Sequence, residues 1–547
     1  MPKKPRSGPP SRSKSDDTDR AAAPLLDLLD GLDEATLARV RDTLRAHLES
    51  IGDANDPLAM FKEFLRRVET LAAQTQDEYD EKDEFFSDVV ATLSQLAIDD
   101  NGGDPQARRV RAFIYEQLGA AIAGGRMDAA SLMLVGKVLS DSGWDVPDGL
   151  KSQLVELLEA SGPSALAAGL LDLKTALADI VHASGGDAFA AYDAVNSVLA
   201  TFPSEVAANM LTTLGEGHAP VLLHVLAGFA MHREPRMAHA AIDELKRAAR
   251  TDLVESALVE RLVRMRPWLP ADRQTALDET IRTLRVYAQP PIHSERPGAV
   301  KCFVMSCDGS GAAGALATLK ARDGWRFVAA MTKPAGVEEV LSLEGLGKQQ
   351  VDLTLRGMRE SVIAAQTDVA GVARYLELSI GDNVASKKPP PFRLIAFVES
   401  LGLGPIAPRL VSAADLIAEM CADWPDADQN ASAVARAHKV MIDLAPEQPW
   451  FEAGEPVESL LAPIRGAKAR AKAVLNAYLP KRREFWARAC ARTAFALQLE
   501  PGANSARARS LALVGREIAS GAPLDGIPLM RQIAEMTVSA YESRRAG

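Results

Sequence analysis

The sequence predicts a mainly α protein of stacked helical hairpins, with a small antiparallel β insert near residues 299–332 and a second helical block at the C-terminus. Apolar residues recur at helix pitch over most of the chain. Pro and Gly interrupt those stripes at short intervals, which breaks them into rods joined by tight connections. The composition is 47% hydrophobic and 25% charged with only 5% aromatic residues, a balance that favours helices over sheets. At 547 residues the chain exceeds what one core usually organises, so it divides into several domains or a quasi-linear array.

Residues 1–22 carry Lys3, Lys4, Arg6, Arg12 and Lys14 among Pro, Gly and Ser. No apolar run follows them that would make a secretory signal, so they read as a disordered basic tail. An N-terminal helical-repeat domain is expected over 23–290. Asp33 caps a helix with Leu37, Val40, Leu44, Leu48 and Ile51 on one side. Asn55-Asp56-Pro57 starts the next, with Leu58, Phe61, Leu65, Val68 and Ala72 in one stripe. Further helices follow, separated by Asn101-Gly102-Gly103, Gly124-Gly125, Pro147, Gly162-Pro163 and Gly185-Gly186. Such short loops imply antiparallel neighbours.

Pro203, Pro235 and Pro267 are equally spaced, each near the start of a predicted hairpin. Val221, Leu222, Val225 and Leu226 fall on Leu253, Val254, Ala257 and Leu258 in the next unit, and the register decays by the third. Residues 150–290 thereby resemble the HEAT and armadillo class of α-solenoids. The resemblance rests on periodicity, implies hairpins stacked side by side, and carries no catalytic residues. An irregular helical bundle is the alternative.

Gln289-Pro290-Pro291 closes the array, because successive prolines cannot continue a helix. A β insert is expected over 298–335, with strands at Ala299–Cys307 and Trp325–Met331. Between them Gly309, Gly311 and Gly314 match G-x-G-x-x-G after a strand, the weak candidate for a dinucleotide site. The crossover to the next strand is short, Asp308 precedes the glycines, and no acidic residue follows to hold a ribose. The favoured reading is an antiparallel meander: a turn at Gly309–Gly311, a strand over Gly314–Ala321, and a turn at Arg322-Asp323-Gly324. Helical patterning is expected to return over 336–386. Residues 387–391, Lys-Lys-Pro-Pro-Pro, read as a polyproline II linker. A C-terminal helical domain over 392–547 is expected to hold helices near 412–423, 430–444, 456–478, 481–498, 504–520 and 526–545, while Phe392–Val398 fits a strand or a buried helix.

The bulk numbers restrict function. A net charge of −11 disfavours whole-molecule attraction to nucleic acid or anionic lipid, and no apolar run reaches the roughly 20 residues that cross a bilayer. Cys302, Cys307, Cys421 and Cys490 are too scattered for a disulfide framework or a paired zinc site, and reduced thiols in a cytoplasm are expected. The eight histidines form no metal or triad spacing; His218, His224, His232 and His239 crowd one region, where His224 reads as a hydrogen-bonded core imidazole. No cofactor is expected.

Charge is distributed unevenly. Residues 77–88 are acidic, whereas Lys468, Arg470, Lys472, Lys481, Arg482, Arg483 and Arg488 concentrate in a span with Trp486 and only Glu484 against them. These eight basic and aromatic residues form the candidate interaction surface. A solvated face, or one paired internally with the 77–88 segment, is the plainer reading. The expected function is a non-catalytic cytoplasmic scaffold or adaptor that binds another protein on a concave face. The alternatives are nucleic-acid binding through residues 465–492 and a nucleotide-binding enzyme using Gly309–Gly314.

Overall fold

The computed structural model describes residues 61–66, 88–97, 100, 105–125, 127–160, 183–215, 220–248, 253–288, 301–321, 324–361, 363–444, 450–500 and 505–546. The expected tail at 1–22, the helix at 33–51, most of the acidic 77–88 segment and the Gln289-Pro290-Pro291 break lie outside them.

The chain is mainly helical, with a five-stranded antiparallel sheet in its middle and a helical block at its C-terminus. The first helices are α1 (Pro105–Ala123), α2 (Ala129–Asp141), α3 (Asp148–Ala160), α4 (Ala188–Leu199), α5 (Ser204–Gly215), α6 (Pro220–Ala230), α7 (Pro235–Ala248), α8 (Ser256–Met265) and α9 (Ala271–Tyr287). Asp128 and Asp187 cap α2 and α4 by accepting hydrogen bonds from amides of the first turn. Pro220 and Pro235 stand at the first helical positions of α6 and α7, where a missing N–H costs nothing. Helix α7 touches α5 on one flank and α9 on the other, and α6 likewise lies between α4 and α8. The odd- and even-numbered helices from α4 to α9 therefore form two layers. In α6 the residues from Leu222 to Ala230 are all buried, because that rod is enclosed by neighbours.

Strands β1 (Lys301–Met305), β2 (Ala313–Ala321), β3 (Gly324–Lys333), β4 (Gly336–Leu346) and β5 (Ala364–Thr367) assemble in the order β4-β3-β2-β1-β5. Alternation sorts the two faces. Cys302, Val304, Ala313, Ala315, Ala317, Val328, Ala330 and Val337 join the main core. Phe303, Leu316, Phe327 and Ala329 face the other way and are roofed by Val351 and Leu355 of α10 (Lys348–Ser361).

Two expectations require correction here. Within the span 336–386 expected to be helical, residues 336–346 and 364–367 form strands, the latter pairing with β1. Glu and Leu are good helix formers, but Gly336 takes φ +118°, which lets the chain double back so that Val337–Leu346 pairs with β3. The dinucleotide reading of Gly309, Gly311 and Gly314 also falls. The residues after the glycines enter β2, which runs antiparallel to β1, so no crossover helix presents its N-terminus to a phosphate. Gly311 sits at φ +82° in the turn, where an added Cβ would press on Pro334.

Beyond the sheet come α11 (Val369–Ser386), α12 (Arg393–Ser400), α13 (Ala413–Cys421), α14 (Ala431–Leu444), α15 (Glu455–Leu461), α16 (Ala467–Ala473), α17 (Arg483–Gln498), α18 (Ser505–Ala519) and α19 (Pro528–Ala546). Phe392–Val398, open between strand and helix in the sequence, is almost wholly in α12, with Leu394, Ile395, Phe397 and Val398 buried. The expected helix over 456–478 is instead α15 and α16 with a break between them containing Pro463 and Gly466, the latter at φ +84°. A π turn, Val474–Tyr478, follows α16. Directly after residues 387–391 the chain is fastened to the first helices: the Phe392 ring packs on Phe189 and Tyr192 at 4.8 and 5.0 Å, and Arg393 pairs with Asp193 at 2.6 Å. Among the described residues one buried cluster takes in side chains from Phe61 to Tyr541, beside the smaller cluster under α10.

Candidate functional site

A cleft of about 890 Å³ opens between the first helices and the sheet. One wall comes from the first helices, with Trp144, Asp145, Tyr192, Asn196, Arg233 and Met237. The other is the start of β4, Glu338–Val340, and the segment Lys387–Arg393. Both walls are braced. Asp145 accepts from Arg233 at 2.7 Å, and Glu338 pairs with Lys333 and Lys388 at 3.3 and 3.0 Å. The flanking cations hold both carboxyls below their ordinary range against the opposing effect of burial, which for Glu338 is the largest single influence. Strand β4 is also an edge of the sheet, and its first residues are sealed from α11. The buried Asn383 accepts from the Val337 N–H at 2.8 Å and donates to the Val337 carbonyl at 3.1 Å, taking the place of a neighbouring strand.

Behind this cleft, Arg261 ties the first helices to α12. It donates to both carboxylate oxygens of Glu399 at 3.0 and 2.8 Å and to His224 Nδ1 at 3.0 Å, and it lies 4.5 Å over the Phe189 ring. Burial, then the adjacent guanidinium, lowers His224 to about 3. Glu255 stands 3.5 Å from its Nε2 and would favour the charged form, but that carboxylate is half exposed and screened by water. His224 is thus the hydrogen-bonded core imidazole that its apolar helix suggested.

The basic span behaves differently from a uniform cationic surface. Arg470 pairs with Glu542 at 2.7 Å, and Arg482 with the buried Glu452 at 2.9 Å while covering the Phe485 ring at 3.8 Å. Arg483 donates to the Ile518 and Ala522 carbonyls. Arg488 pairs with Asp382 at 2.5 Å. Trp486 is fully buried and donates to Glu452, so it is a core residue and is withdrawn as an interaction residue. Lys468, Lys472 and Lys481 remain exposed. Among the described residues, the carboxylates that meet these arginines are on α11, α19 and the segment before α15.

A second, smaller cavity of about 40 Å³ opens where the Gly311 turn meets Pro334, α11 and α17. Its wall includes Cys307, Thr332, Tyr375, Ser379, Asp382, Arg488 and Arg492. Arg492 Nη2 lies 2.8 Å from both oxygens of Asp382 and 3.2 Å from the Leu378 carbonyl. Tyr375 and Thr332 share a hydroxyl hydrogen bond of 2.9 Å. Burial pushes the Cys307 thiol up to about 11 and raises the Tyr375 phenol further, so both stay neutral at physiological pH. Burial also raises Asp382 despite its two arginines, and it lowers Arg492. Asp382, Asn383 and Tyr375 were not singled out from the sequence. The available signal was an Asp-Asn pair directly after the apolar Leu378-Ser379-Ile380-Gly381 run, and the four-residue spacing of Arg488 and Arg492, which puts both on one face of α17.

No group of His, Cys, Asp and Glu suited to a metal ion occurs among the described residues, and none of their helices is long and apolar enough to cross a membrane. No solved structure matches the chain significantly. Residues 203–287, which span α5 to α9, match the family described as the Y4lR second domain, and residues 414–542, essentially α13 to α19, match the Y4lR C-terminal helical domain. Over 478 residues the chain is 23% identical to the uncharacterized protein y4lR of Sinorhizobium fredii (strain NBRC 101917 / NGR234), covering 82% of this chain and 88% of that one.

Proposed function

We propose that the protein is a non-catalytic helical scaffold that binds another protein along the cleft of about 890 Å³ between the first helices and β4. The cleft is the observation that carries the reading. Its size suits an extended segment or a helix of a partner, and its walls mix aromatic surface with cations and carboxylates, the composition of a protein-recognition surface. The two helical layers from α4 to α9 support a HEAT-like description of that wall, in which stacked hairpins present extended surface. Four buried free thiols support a reducing, cytoplasmic setting.

The test is cross-linking and affinity capture from the native lysate with the full chain. Lys151, Lys387 and Lys388 line the cleft and are the expected cross-linking positions. Replacing Arg233 and Lys388 by Glu should release the partner, whereas the control Lys320→Glu, on exposed sheet surface, should retain it. A partner held equally by both variants, or cross-linked only elsewhere, overturns the assignment.

A further inference from the structure

We propose that the small cavity between the Gly311 turn, α11 and α17 binds one oxyanion group, a phosphate or a carboxylate, on Arg488 and Arg492. The charge count leads to this. Two guanidiniums share the single carboxylate of Asp382, Cys307 and Tyr375 are neutral, and the other charged wall residue, Lys333, pairs with Glu338 outside the cavity wall. One positive charge is left facing a cavity in a setting where Arg492 is only 9% exposed. Protonation of Asp382 would only enlarge that surplus. An unbalanced buried cation is costly, and a bound anion removes the cost.

The donors point the same way. All three protein acceptors of Arg492 are taken by Nη2, which leaves its Nε and Nη1 with no acceptor among the described residues. Thr332, Tyr375 and Ser379 complete the wall; Ser379 donates to the Tyr375 carbonyl at 3.1 Å, and the Thr332–Tyr375 pair, which shares one proton between its two oxygens, keeps its second hydroxyl proton to donate to an oxyanion. At about 40 Å³ the cavity has room for roughly three water-sized centres, which suits one small oxyanion group but not a nucleotide. Arg488, one-third exposed beside Pro334, stands at the mouth.

The experiment is calorimetry and thermal melting of the full chain, titrated with sodium phosphate and separately with sodium acetate, against sodium chloride at matched ionic strength. A saturable heat and rise in Tm beyond chloride is expected. Saturation by phosphate alone assigns a phosphate group, and saturation by acetate alone assigns a carboxylate. Loss of a charge-assisted contact in Arg488→Met should weaken binding about tenfold or more, and Asp382→Asn, which frees both guanidiniums, should tighten it about tenfold. The proposal is overturned if neither anion exceeds chloride with the unaltered protein, or if Arg488→Met leaves saturable binding unchanged. Should Asp382→Asn not fold, those two titrations decide.

Discussion

Arg261 and Arg492 are each 9% exposed and each tie α-helices from distant parts of the chain, yet their surroundings differ in stoichiometry. Arg261 meets one carboxylate, one imidazole nitrogen and an aromatic face, so its charge is matched one to one and each of its three nitrogens has an acceptor. Arg492 shares Asp382 with Arg488, and a cavity lies against the surplus charge. A one-to-one pair acts as a staple, whereas a two-to-one cluster with space beside it has the means to hold something else. Burial and charge pairing alone do not separate the two; counting partners does.

The widest separation should come from breaking the staple. Arg261→Met leaves Glu399 without its guanidinium and should cost about 3 kcal/mol in chemical denaturation, independent of added phosphate. A loss below about 1 kcal/mol would show that the staple is dispensable. Acid should act next, through the imidazole of the staple. His224 is lowered from 6.5 to about 3, so the unfolded chain binds the proton more readily. Its contribution is complete above pH 6.5 and is lost as pH falls toward 3, amounting to about 2 kcal/mol between pH 7 and pH 5. The difference in stability between the unaltered protein and His224→Gln should narrow by that amount, with His232, itself lowered to about 4 by burial, cancelling from the comparison. Parallel curves would refute the assignment.

At the cluster, Asp382→Asn should cost about 1.5 kcal/mol without added anion and visibly less with phosphate, which distinguishes it from Arg261→Met. Equal losses in both buffers would erase the contrast. The smallest effect is expected on the basic span. Replacing the exposed Lys468, Lys472 and Lys481 by Ala should move stability by no more than about 0.5 kcal/mol. If that triple variant also abolished a salt-dependent affinity for nucleic acid, the scaffold reading would give way to a nucleic-acid one.

Much of the fold was legible in the residues themselves. The apolar stripes and capped starts located most helices, and Gly309–Gly311 between apolar runs announced a hairpin. Strand β4 was not legible, because Glu-Glu-Val-Leu-Ser-Leu has helical propensity and only pairing with β3 reverses it. The candidate surface was half legible. Density of basic residues can be read along a chain, but the carboxylates that neutralise Arg470, Arg482 and Arg488 lie 72, 30 and about a hundred positions away.

The sequence by itself determined the helical character, the place of the first three strands and the apolar setting of His224, since periodicity and turn chemistry act between near neighbours. Tertiary structure alone decided that Phe392 and Arg393 pack against the first helices while Lys387–Pro391 faces them across a cleft, that Trp486 is core, and that Arg488 and Arg492 converge on Asp382. Those outcomes depend on which distant side chain supplies the opposing charge or ring, and the energy of such contacts is set by distance and burial, which have no expression in local sequence.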